Sequence, residues 1–177
     1  MQIFLYLLVL IGLFLIYVFI TMFLACFFVA PWVPTKKKDL EKIFQIAELK
    51  PGEKFYELGS GDGRVVFFAQ EKFKAKAIGL ETALPLVLYS KFIAFLKGNK
   101  EVVFKAKSMF KEDLSQADVV YTYLLPKILE KKLKDKFKKE LRPGSRVVSY
   151  VFSIHGLVPE KKERIRENGP LVYVYRF

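Results

Sequence analysis

A glycine-rich stretch at residues 55–66 holds the residues of this chain that are best suited to chemistry. Its letters, FYELGSGDGRVV, predict a short buried strand, a tight turn and the first turn of a helix. Gly59, Gly61 and Gly63 lack a Cβ, so the backbone of the turn can approach a ligand closely. The free N–H groups and the positive dipole end of the following helix point at the same place. The stretch therefore predicts a ligand-binding loop, with a strand-turn-helix that binds nothing as the alternative.

Two acidic residues near the loop narrow the class of ligand. Glu57 ends the strand, two residues before the first glycine, where a carboxylate attracts a cationic amino group and repels a pyrophosphate. The spacing G-x-G-x-G also differs from the dinucleotide fingerprint G-x-G-x-x-G, so a nucleotide-dependent oxidoreductase is the least favoured class. Glu81 follows the next predicted strand, 18 residues after Gly63, where an acid can hydrogen-bond ribose hydroxyls. Its alternative role is to cap the next helix.

The longer string ELGSGDGRVV, at residues 57–66, resembles the nucleotide-binding motif of class I S-adenosylmethionine (SAM)-dependent methyltransferases. Within that class the chain is similar to the membrane-anchored protein-lysine methyltransferases that act on the mitochondrial ATP synthase c-subunit and adenine nucleotide translocase, and to their prokaryotic relatives. Pro34 with Thr35, the string YTYLLP at residues 121–126 and the string LRPGSRVVS at residues 141–149 add to this resemblance. The resemblance covers residues 31–153 well and the C-terminal residues poorly.

The resemblance implies SAM as the cofactor and a lysine amine of a protein as the methyl acceptor. It also implies that Ser108 contacts the adenine and that Thr35 reaches the methionine end of the cofactor. Met109 and Phe110 are candidates to flank the adenine ring, with ordinary core residues as the alternative. Ser108 departs from the aspartate that many class I methyltransferases have here, although serine can accept the same hydrogen bond. The alternative for Thr35 is a residue of the turn that connects the membrane segment to the domain, with no contact to the cofactor. The implied cofactor residues are Glu57, Gly59, Ser60, Gly61, Asp62, Gly63, Glu81, Ser108, Met109 and Thr35.

No side chain stands out as a general base, so the catalytic residues stay open. Tyr123, after the fourth predicted strand, is a candidate for orienting the amine or for stacking on the cofactor, with an ordinary strand aromatic as the alternative. His155, after the fifth strand, is a candidate base because histidine is the commonest general acid–base, but a lone loop histidine is more often incidental. Desolvation can also remove the proton of a lysine. His155 is the one histidine and Cys26 the one cysteine, so no metal site is expected.

Alternating strand and helix patterns predict an α/β fold with a doubly wound, Rossmann-like and mostly parallel sheet. In such a sheet the ends of the first and fourth strands flank the ligand crevice. Residues 171–177 predict an antiparallel strand at the C-terminal edge that closes the sheet. The predicted parallel strands span residues 55–58, 76–80, 102–106, 118–121 and 146–152, and the predicted helices span residues 39–49, 64–73, 84–96 and 127–141.

The N-terminal segment differs in composition from the rest of the chain. Residues 1–35 hold no charged side chain, and the apolar run at residues 3–30 exceeds the roughly 18 residues that indicate a transmembrane helix. We therefore predict a transmembrane anchor at residues 1–30, in contact with the lipid bilayer through residues 3–30, and a methyltransferase domain at residues 31–177. A signal peptide fits less well because no Lys or Arg precedes the run. A buried core helix fits less well because the run has no polar face.

The residues after the apolar run predict how the anchor ends and how the protein is oriented. Pro31 and Pro34 are expected to end the helix, and Trp32 is expected at the membrane interface. The lysines at residues 36–38 follow directly, and the positive-inside rule places the domain in the cytoplasm and the N-terminus outside. Cys26 has no partner for an intrachain disulfide, which agrees with a reducing compartment.

All charged side chains, and with them the net charge of +12, lie after residue 35. This charge affects which partners the protein can bind. The predicted helix at residues 127–141 is rich in lysine, which is typical of a solvated face and also suits anionic lipid. Nucleic acid is disfavoured because residues 122–126 lack the Asn/Asp-Pro-Pro-Tyr/Phe motif of nucleic-acid amino-methyltransferases. The expected partner is a protein substrate, and the tether favours a membrane protein. The competing functions are a methyltransferase of a small molecule or lipid and a catalytically silent SAM-binding membrane scaffold.

Overall fold

The computed structural model describes residues 2–28 and 33–177, and for residues 21–28 it describes the backbone alone. Helix α1 spans Gln2–Phe28, and its described side chains are almost all exposed. The part at Gln2–Ile20 has a mean hydropathy of 3.0 and is, by length and composition, a candidate membrane span. Pro31 and Trp32, predicted to end this helix and to lie at the membrane interface, fall outside the described residues.

A seven-stranded sheet forms the centre of the domain. Its strands are β1 (Lys54–Leu58), β2 (Lys76–Glu81), β3 (Val102–Ala106), β4 (Val119–Thr122), β5 (Arg146–Tyr150), β6 (Lys161–Arg164) and β7 (Leu171–Arg176). The strand order is β3-β2-β1-β4-β5-β7-β6, with β1 to β5 parallel and β7 antiparallel to both β5 and β6. The predicted doubly wound, mostly parallel fold with an antiparallel C-terminal strand is confirmed. The order reverses between β1 and β4, where a ligand crevice is expected.

Two strand assignments differ from the sequence prediction. The outermost strand on the C-terminal side is β6, which the sequence did not indicate because its four residues are all charged and mostly exposed. The predicted C-terminal strand β7 therefore lies between β5 and β6 and not at the edge itself. Strand β5 ends at Tyr150 and not at residue 152, because Val151 has a left-handed backbone (φ 72°) that cannot continue a strand.

Helices cover both faces of the sheet. They are α2 (Lys37–Ala47), α3 (Arg64–Phe73), α4 (Leu84–Leu96), α5 (Pro126–Ile128) and α6 (Lys134–Glu140). The single helix predicted at residues 127–141 is divided, since a π-helical turn at Leu129–Leu133 joins α5 to α6. The apolar residues on which this helix prediction was based lie in the core, since Leu129, Leu133 and Phe137 are all fully buried.

The alternation of side chains along the strands creates two apolar cores. On one face, residues such as Phe55, Tyr121 and Val148 pack with α2, α3 and α4. On the other face, residues such as Tyr56 and Val147 pack with the π-helical turn and α6. Glu57 belongs to the first face by this alternation, so its carboxylate lies under α3 and not among the residues that face α6.

Helix α2 closes the first face because its apolar stripe is buried against α3 and the sheet. Leu40, Ile43 and Phe44 are almost fully buried, as the i, i+3, i+4 spacing predicts. The ring of Phe44 lies 5.3 Å from that of Phe55 in an edge-to-face contact. Burial of a side chain of this size contributes about 2–3 kcal/mol. Packing of this kind fixes α2 beside the crevice.

Candidate active site

The glycine loop between β1 and α3 is held in a conformation that only glycine adopts readily. Gly59, Gly61 and Gly63 have φ values of 83°, 53° and 77°. The N–H groups of Gly59 and Ser60 both donate to the carbonyl of Leu80 on β2, at 2.9 Å each. The loop is therefore attached to the neighbouring strand and presents its backbone at the carboxyl end of the sheet.

At two positions only glycine fits, because a Cβ atom there would clash with a neighbouring side chain. A Cβ on Gly63 would lie 2.6 Å from the ring of Phe104, and a Cβ on Gly79 would lie 2.7 Å from the hydroxyl oxygen of Ser60. The loop and α3 thus pack directly on β2 and β3. The predicted cofactor residue Ser60 turns its hydroxyl towards Gly79, so its backbone is the part that faces the crevice edge.

Glu57 is a buried carboxylate with an unused hydrogen-bonding atom. It lies between Gly79 on β2 and Tyr121 on β4 in the strand register. The N–H of Val66 in the first turn of α3 donates to it, while its Oε2 is buried without a hydrogen-bond partner in the described structure. Burial, followed by the negative charges of Asp62 and Glu81, raises the pKa of Glu57 well above its ordinary value. A cationic group of a ligand would relieve this cost.

Glu81 organises the other side of the glycine loop. Its Oε2 accepts a hydrogen bond from the N–H of Gly61 at 2.9 Å, and its Oε1 accepts from the N–H groups of Thr82 and Ala83 at 2.7 and 2.9 Å. Glu81 therefore fixes the turn that leads into α4 and stands beside the loop, while its contact with the ribose stays a prediction. Asp62 instead forms a two-pronged ion pair with Arg64, 2.5 Å at its shortest, on the outer side of α3.

Thr35 and Tyr121 meet beneath α2. Thr35 is buried and its Oγ1 lies 2.9 Å from the hydroxyl of Tyr121, a residue 86 positions later in the chain. Burial raises the pKa of Tyr121 well above its ordinary value, and the charge of Glu57 adds to the rise. Thr35 is thus placed in the first core near Glu57, as its predicted role requires, and is more than an exposed turn residue.

An aromatic cluster lies at the ends of β4 and β5, and we define it as Tyr123, Tyr150 and Phe152. The Tyr123 ring lies 4.8 Å from that of Tyr150, edge-to-face, and 6.4 Å from that of Phe152, stacked. The left-handed backbone of Val151 lets both neighbours reach Tyr123. Tyr123 and Phe152 are half-buried, so the cluster is open to a substrate.

Asp39 supports this cluster, although the sequence predicted no role for it in the site. Asp39 is in the first turn of α2 and is fully buried. Its Oδ2 accepts a hydrogen bond from the Tyr150 hydroxyl at 2.8 Å, and its Oδ1 pairs with Arg166. Burial raises the pKa of Tyr150, and its hydrogen bond to Asp39 raises the pKa further. Its position on the buried stripe, four residues before Ile43, was the available signal.

The remaining predicted residues fall at the two ends of the crevice. Met109 is buried and its methyl group lies 3.8 Å from the point where a Cβ on Gly59 would be, so it packs against the glycine loop. Ser108 is half-buried and its Oγ accepts a long hydrogen bond, 3.4 Å, from the N–H of Phe110. His155 is exposed, and its backbone oxygen accepts a bond from Lys134 on α6.

The sequence also matches a known family. The model of the family described as the ANTKMT methyltransferase domain matches residues 57–161, which include the glycine loop, Glu81 and the aromatic cluster. A protein-lysine N-methyltransferase of Saccharolobus islandicus (strain REY15A) is 35% identical over 153 residues, which cover 82% of this chain and 92% of that protein. The chain belongs to the ANTKMT methyltransferase family. It is a SAM-dependent methyltransferase, as the resemblance of residues 57–66 implied.

Two mammalian proteins of the family are similar over part of their length. The adenine nucleotide translocase lysine N-methyltransferase of Mus musculus is 33% identical over 125 residues, covering 70% of this chain and 54% of that protein. The ATP synthase c-subunit lysine N-methyltransferase of Homo sapiens is 29% identical over 131 residues, covering 73% and 55%. This chain therefore spans about half the length of both proteins.

A solved structure shares the fold and holds the demethylated cofactor. The RNA methyltransferase of Salinibacter ruber, in complex with S-adenosyl-L-homocysteine, has a TM-score of 0.76 and 32% identity, covering 81% of this chain and 93% of that chain. SAM is the cofactor of the ANTKMT methyltransferase fold seen here. The loop of left-handed glycines and the unpaired buried oxygen of Glu57 fit a ligand that carries a cationic amino group.

Proposed function

We propose that this chain methylates a lysine amine of a protein at a membrane surface. The observation that carries the proposal is the half-buried aromatic cluster at the ends of β4 and β5. Tyr121 on β4 interacts electrostatically with Glu57 and with Tyr123 and Tyr150 of the cluster, which links the cluster to the cofactor side of the crevice. The naming of the relatives as protein-lysine N-methyltransferases supports a lysine as the acceptor.

The cofactor, when bound, supplies an electrophilic methyl group on a sulfonium sulfur. In our proposal Glu57 pairs with its amino group, and the backbone of Gly59 and Gly61 borders it. Glu81 reaches its ribose, and Met109 with Ser108 borders its adenine. Ser60, Asp62, Gly63 and Thr35 complete the proposed set, Gly63 by allowing α3 to pack closely and Thr35 through Tyr121.

The aromatic cluster accounts for a lysine acceptor. The long apolar stem of lysine packs on aromatic rings, and removal from water lowers the pKa of its amine, which must be neutral to accept a methyl group. Tyr150 donates its hydroxyl to Asp39, so Tyr123 is the tyrosine that we propose to orient the amine. Transfer of the methyl from the sulfonium to the neutral amine leaves a neutral thioether and a methylated ammonium, a cation that aromatic faces also favour.

The membrane part of the proposal rests on α1 and the residues after it. Helix α1 is apolar along the whole span Gln2–Ile20, and its described side chains are almost all exposed to the surroundings. Three consecutive lysines, residues 36–38, precede or begin α2. We propose a single-pass protein with residues 1–30 as the anchor, its N-terminus outside, and residues 31–177 as a cytoplasmic domain. Such a tether favours a membrane protein as substrate.

An RNA substrate is the second candidate. The Salinibacter ruber protein named as an RNA methyltransferase is 32% identical to this chain, and the charge of +12 suits a nucleic acid. Residues 122–126, TYLLP, lack the polar Asn/Asp-Pro-Pro segment with which nucleic-acid amino-methyltransferases grip an exocyclic amine. A protein is therefore the preferred methyl acceptor, and one experiment tests protein and RNA acceptors together.

The test offers each acceptor class to the full chain in lipid nanodiscs with SAM carrying a labelled methyl group. Membrane proteins, soluble proteins and RNA from one lysate are the acceptors. We expect label in the membrane-protein fraction, on lysine by mass spectrometry. Tyr123→Phe is expected to lower kcat about tenfold with SAM affinity unchanged, while the matched control Tyr173→Phe leaves kcat unchanged. Label in RNA, or no transfer by a chain that binds SAM, would contradict the proposal.

A further inference from the structure

Helix α4 presents an apolar surface to the solvent. We define the α4 outer face as its exposed apolar residues, which follow one another at intervals of three or four positions or stand next to them: Leu84, Leu88, Tyr89, Phe92, Phe95 and Leu96. Phe95 is 80% exposed and Leu96 is 63% exposed. The only charged residue of the helix is Lys91. Soluble monomers rarely expose a continuous apolar surface of this kind, so the α4 outer face requires a partner.

The charges around the face are mixed, with the lysines described next and, beside Lys97 and Lys100, the acidic residues Glu71 and Glu101. Lys91 on α4 and Lys100 beyond its end are both exposed. Lys97 also follows the helix, and it pairs with Glu71 on α3. Helices that lie in a membrane interface combine an apolar face of Phe and Leu with lysines at the border, which reach anionic head groups. The α4 outer face has this composition, and it has no acidic residue that lipid head groups would repel.

The position of the face relative to the anchor favours the bilayer over other partners. A groove of about 450 Å³ between α2, α3 and α4 is lined by both Lys37, the first residue of α2, and Tyr89 of the outer face. Helix α1 ends at Phe28 and α2 begins at Lys37, so residues 29–36 connect them. These eight residues span at most about 30 Å even when fully extended. The surface that α1 enters is therefore within reach of the α4 outer face.

We infer that the α4 outer face is a second membrane contact of this protein. The face lies in the interfacial layer of the bilayer that α1 spans, with Lys91 and Lys100 at the level of the head groups. This inference rests on the proposed anchoring by α1. Helix α4 begins three residues after Glu81, so the contact brings the cofactor site to the membrane surface. An acceptor lysine that projects from a membrane protein just above the head groups would meet it there.

The test uses fluorescence of the full chain in vesicles of phosphatidylcholine and phosphatidylglycerol. Trp32 is the only tryptophan, so Trp32→Phe gives a dark background. Phe95→Trp and Leu88→Trp place reporters on the α4 outer face, and Val158→Trp places a control in the loop before β6, where the side chain is 92% exposed. Lipids brominated near the carbonyl end of the acyl chain quench tryptophan at interfacial depth. Flotation of the vesicles first establishes that α1 is inserted.

We expect the bromolipids to remove about half or more of the emission of both face reporters and none from the control. A protein that floats but whose two face reporters are unquenched overturns this inference and leaves the anchoring intact. Emission that is blue-shifted but unquenched shows that a second copy or another protein covers the face, which also overturns it. If the protein does not float with the vesicles, the proposed anchoring by α1 is wrong, whatever the two face reporters show. Circular dichroism of each variant establishes that the reporters are folded.

Discussion

At the scale of single residues, Glu57 carries a stability cost that its proposed contact with the cofactor would offset. Burial and the nearby carboxylates raise its pKa in the folded protein, so the folded state binds the proton of Glu57 more tightly than the unfolded state does. Free energy of unfolding is therefore lost as the pH rises from the ordinary value of 4.5 towards the raised value. A cationic amino group beside the free Oε2 removes this cost, which links cofactor binding to stability.

Glu57→Gln tests this link. In cofactor-free protein at neutral pH we expect a higher Tm, by about 2–4 °C for each kcal/mol gained, because no buried negative charge is left. At a pH below 4.5 the gain should vanish, since Glu57 is then protonated in both states. SAM affinity should fall about 10- to 100-fold, the usual value of a charged hydrogen bond. Calorimetry measures both quantities.

The matched control is Glu101→Gln, the same change at an exposed acid before β3. It should alter neither Tm nor SAM affinity. An unchanged SAM affinity in the Glu57 variant would show that the orphaned oxygen serves another purpose, and a lower Tm at neutral pH would show that the buried charge is compensated.

Gly63→Ala separates close packing from backbone conformation. Gly63 and Gly52 have nearly equal φ values, 77° and 80°, but a Cβ would meet Phe104 at 2.6 Å in the first and nothing within 4 Å in the second. Gly52→Ala should cost about 1 kcal/mol for the left-handed backbone. Gly63→Ala should cost about 1–3 kcal/mol more because the ring must move. Equal losses in urea unfolding would mean that the contact with Phe104 is soft.

At the scale of elements, α2 joins the anchor side of the chain to the aromatic cluster. Its buried Asp39 accepts from Tyr150 at the end of β5 and pairs with Arg166 in the turn between β6 and β7. One side chain thus fixes the position of three elements. A helix held only by its apolar stripe would be free to slide, whereas the polar contacts set its register over the crevice.

Asp39→Asn is expected to lower the free energy of unfolding by about 1–2 kcal/mol, because it removes the charge that pairs with Arg166, and the 40% exposure of the Arg166 side chain screens this pair. It should also lower kcat for the protein acceptor by loosening Tyr150, while the KM for SAM stays close to that of the unchanged enzyme. Glu41→Gln, on the exposed side of the same helix, is the control. A rise in the KM for SAM with kcat unchanged would place Asp39 in cofactor binding instead.

Most elements and few contacts were predictable from the sequence. Hydrophobic periodicity predicted α3 and α4 at their observed bounds, because local patterns set local structure. Strand β6 was not predicted from the sequence because its residues are charged and it is stabilised by pairing with β7. Tyr150 and Asp39 are 111 positions apart, so no local pattern reveals their bond. The glycine loop was predictable since three glycines must lie together to form it.

At the scale of the whole molecule, the apolar helix and the basic domain are separate in composition and in packing. Every residue of the two hydrophobic cores comes after residue 39, and Thr35 is the earliest buried residue in the described chain. The domain should therefore fold without α1. If α1 anchors the chain as proposed, the domain's charge of +12 acts at the membrane surface, where anionic lipid attracts lysines.

Removal of residues 1–32 tests this division. The fragment at residues 33–177 keeps Thr35, both cores and the glycine loop, so its Tm and its affinity for SAM should match those of the full chain in nanodiscs. It should no longer float with vesicles at physiological salt, because surface lysines alone give screened and reversible binding.

Methylation of membrane proteins should fall at least about tenfold through loss of effective concentration, while methylation of a soluble lysine peptide stays unchanged. A fragment that loses Tm or SAM affinity would instead make α1 part of the catalytic domain, and the boundary at residue 30 would have to be abandoned.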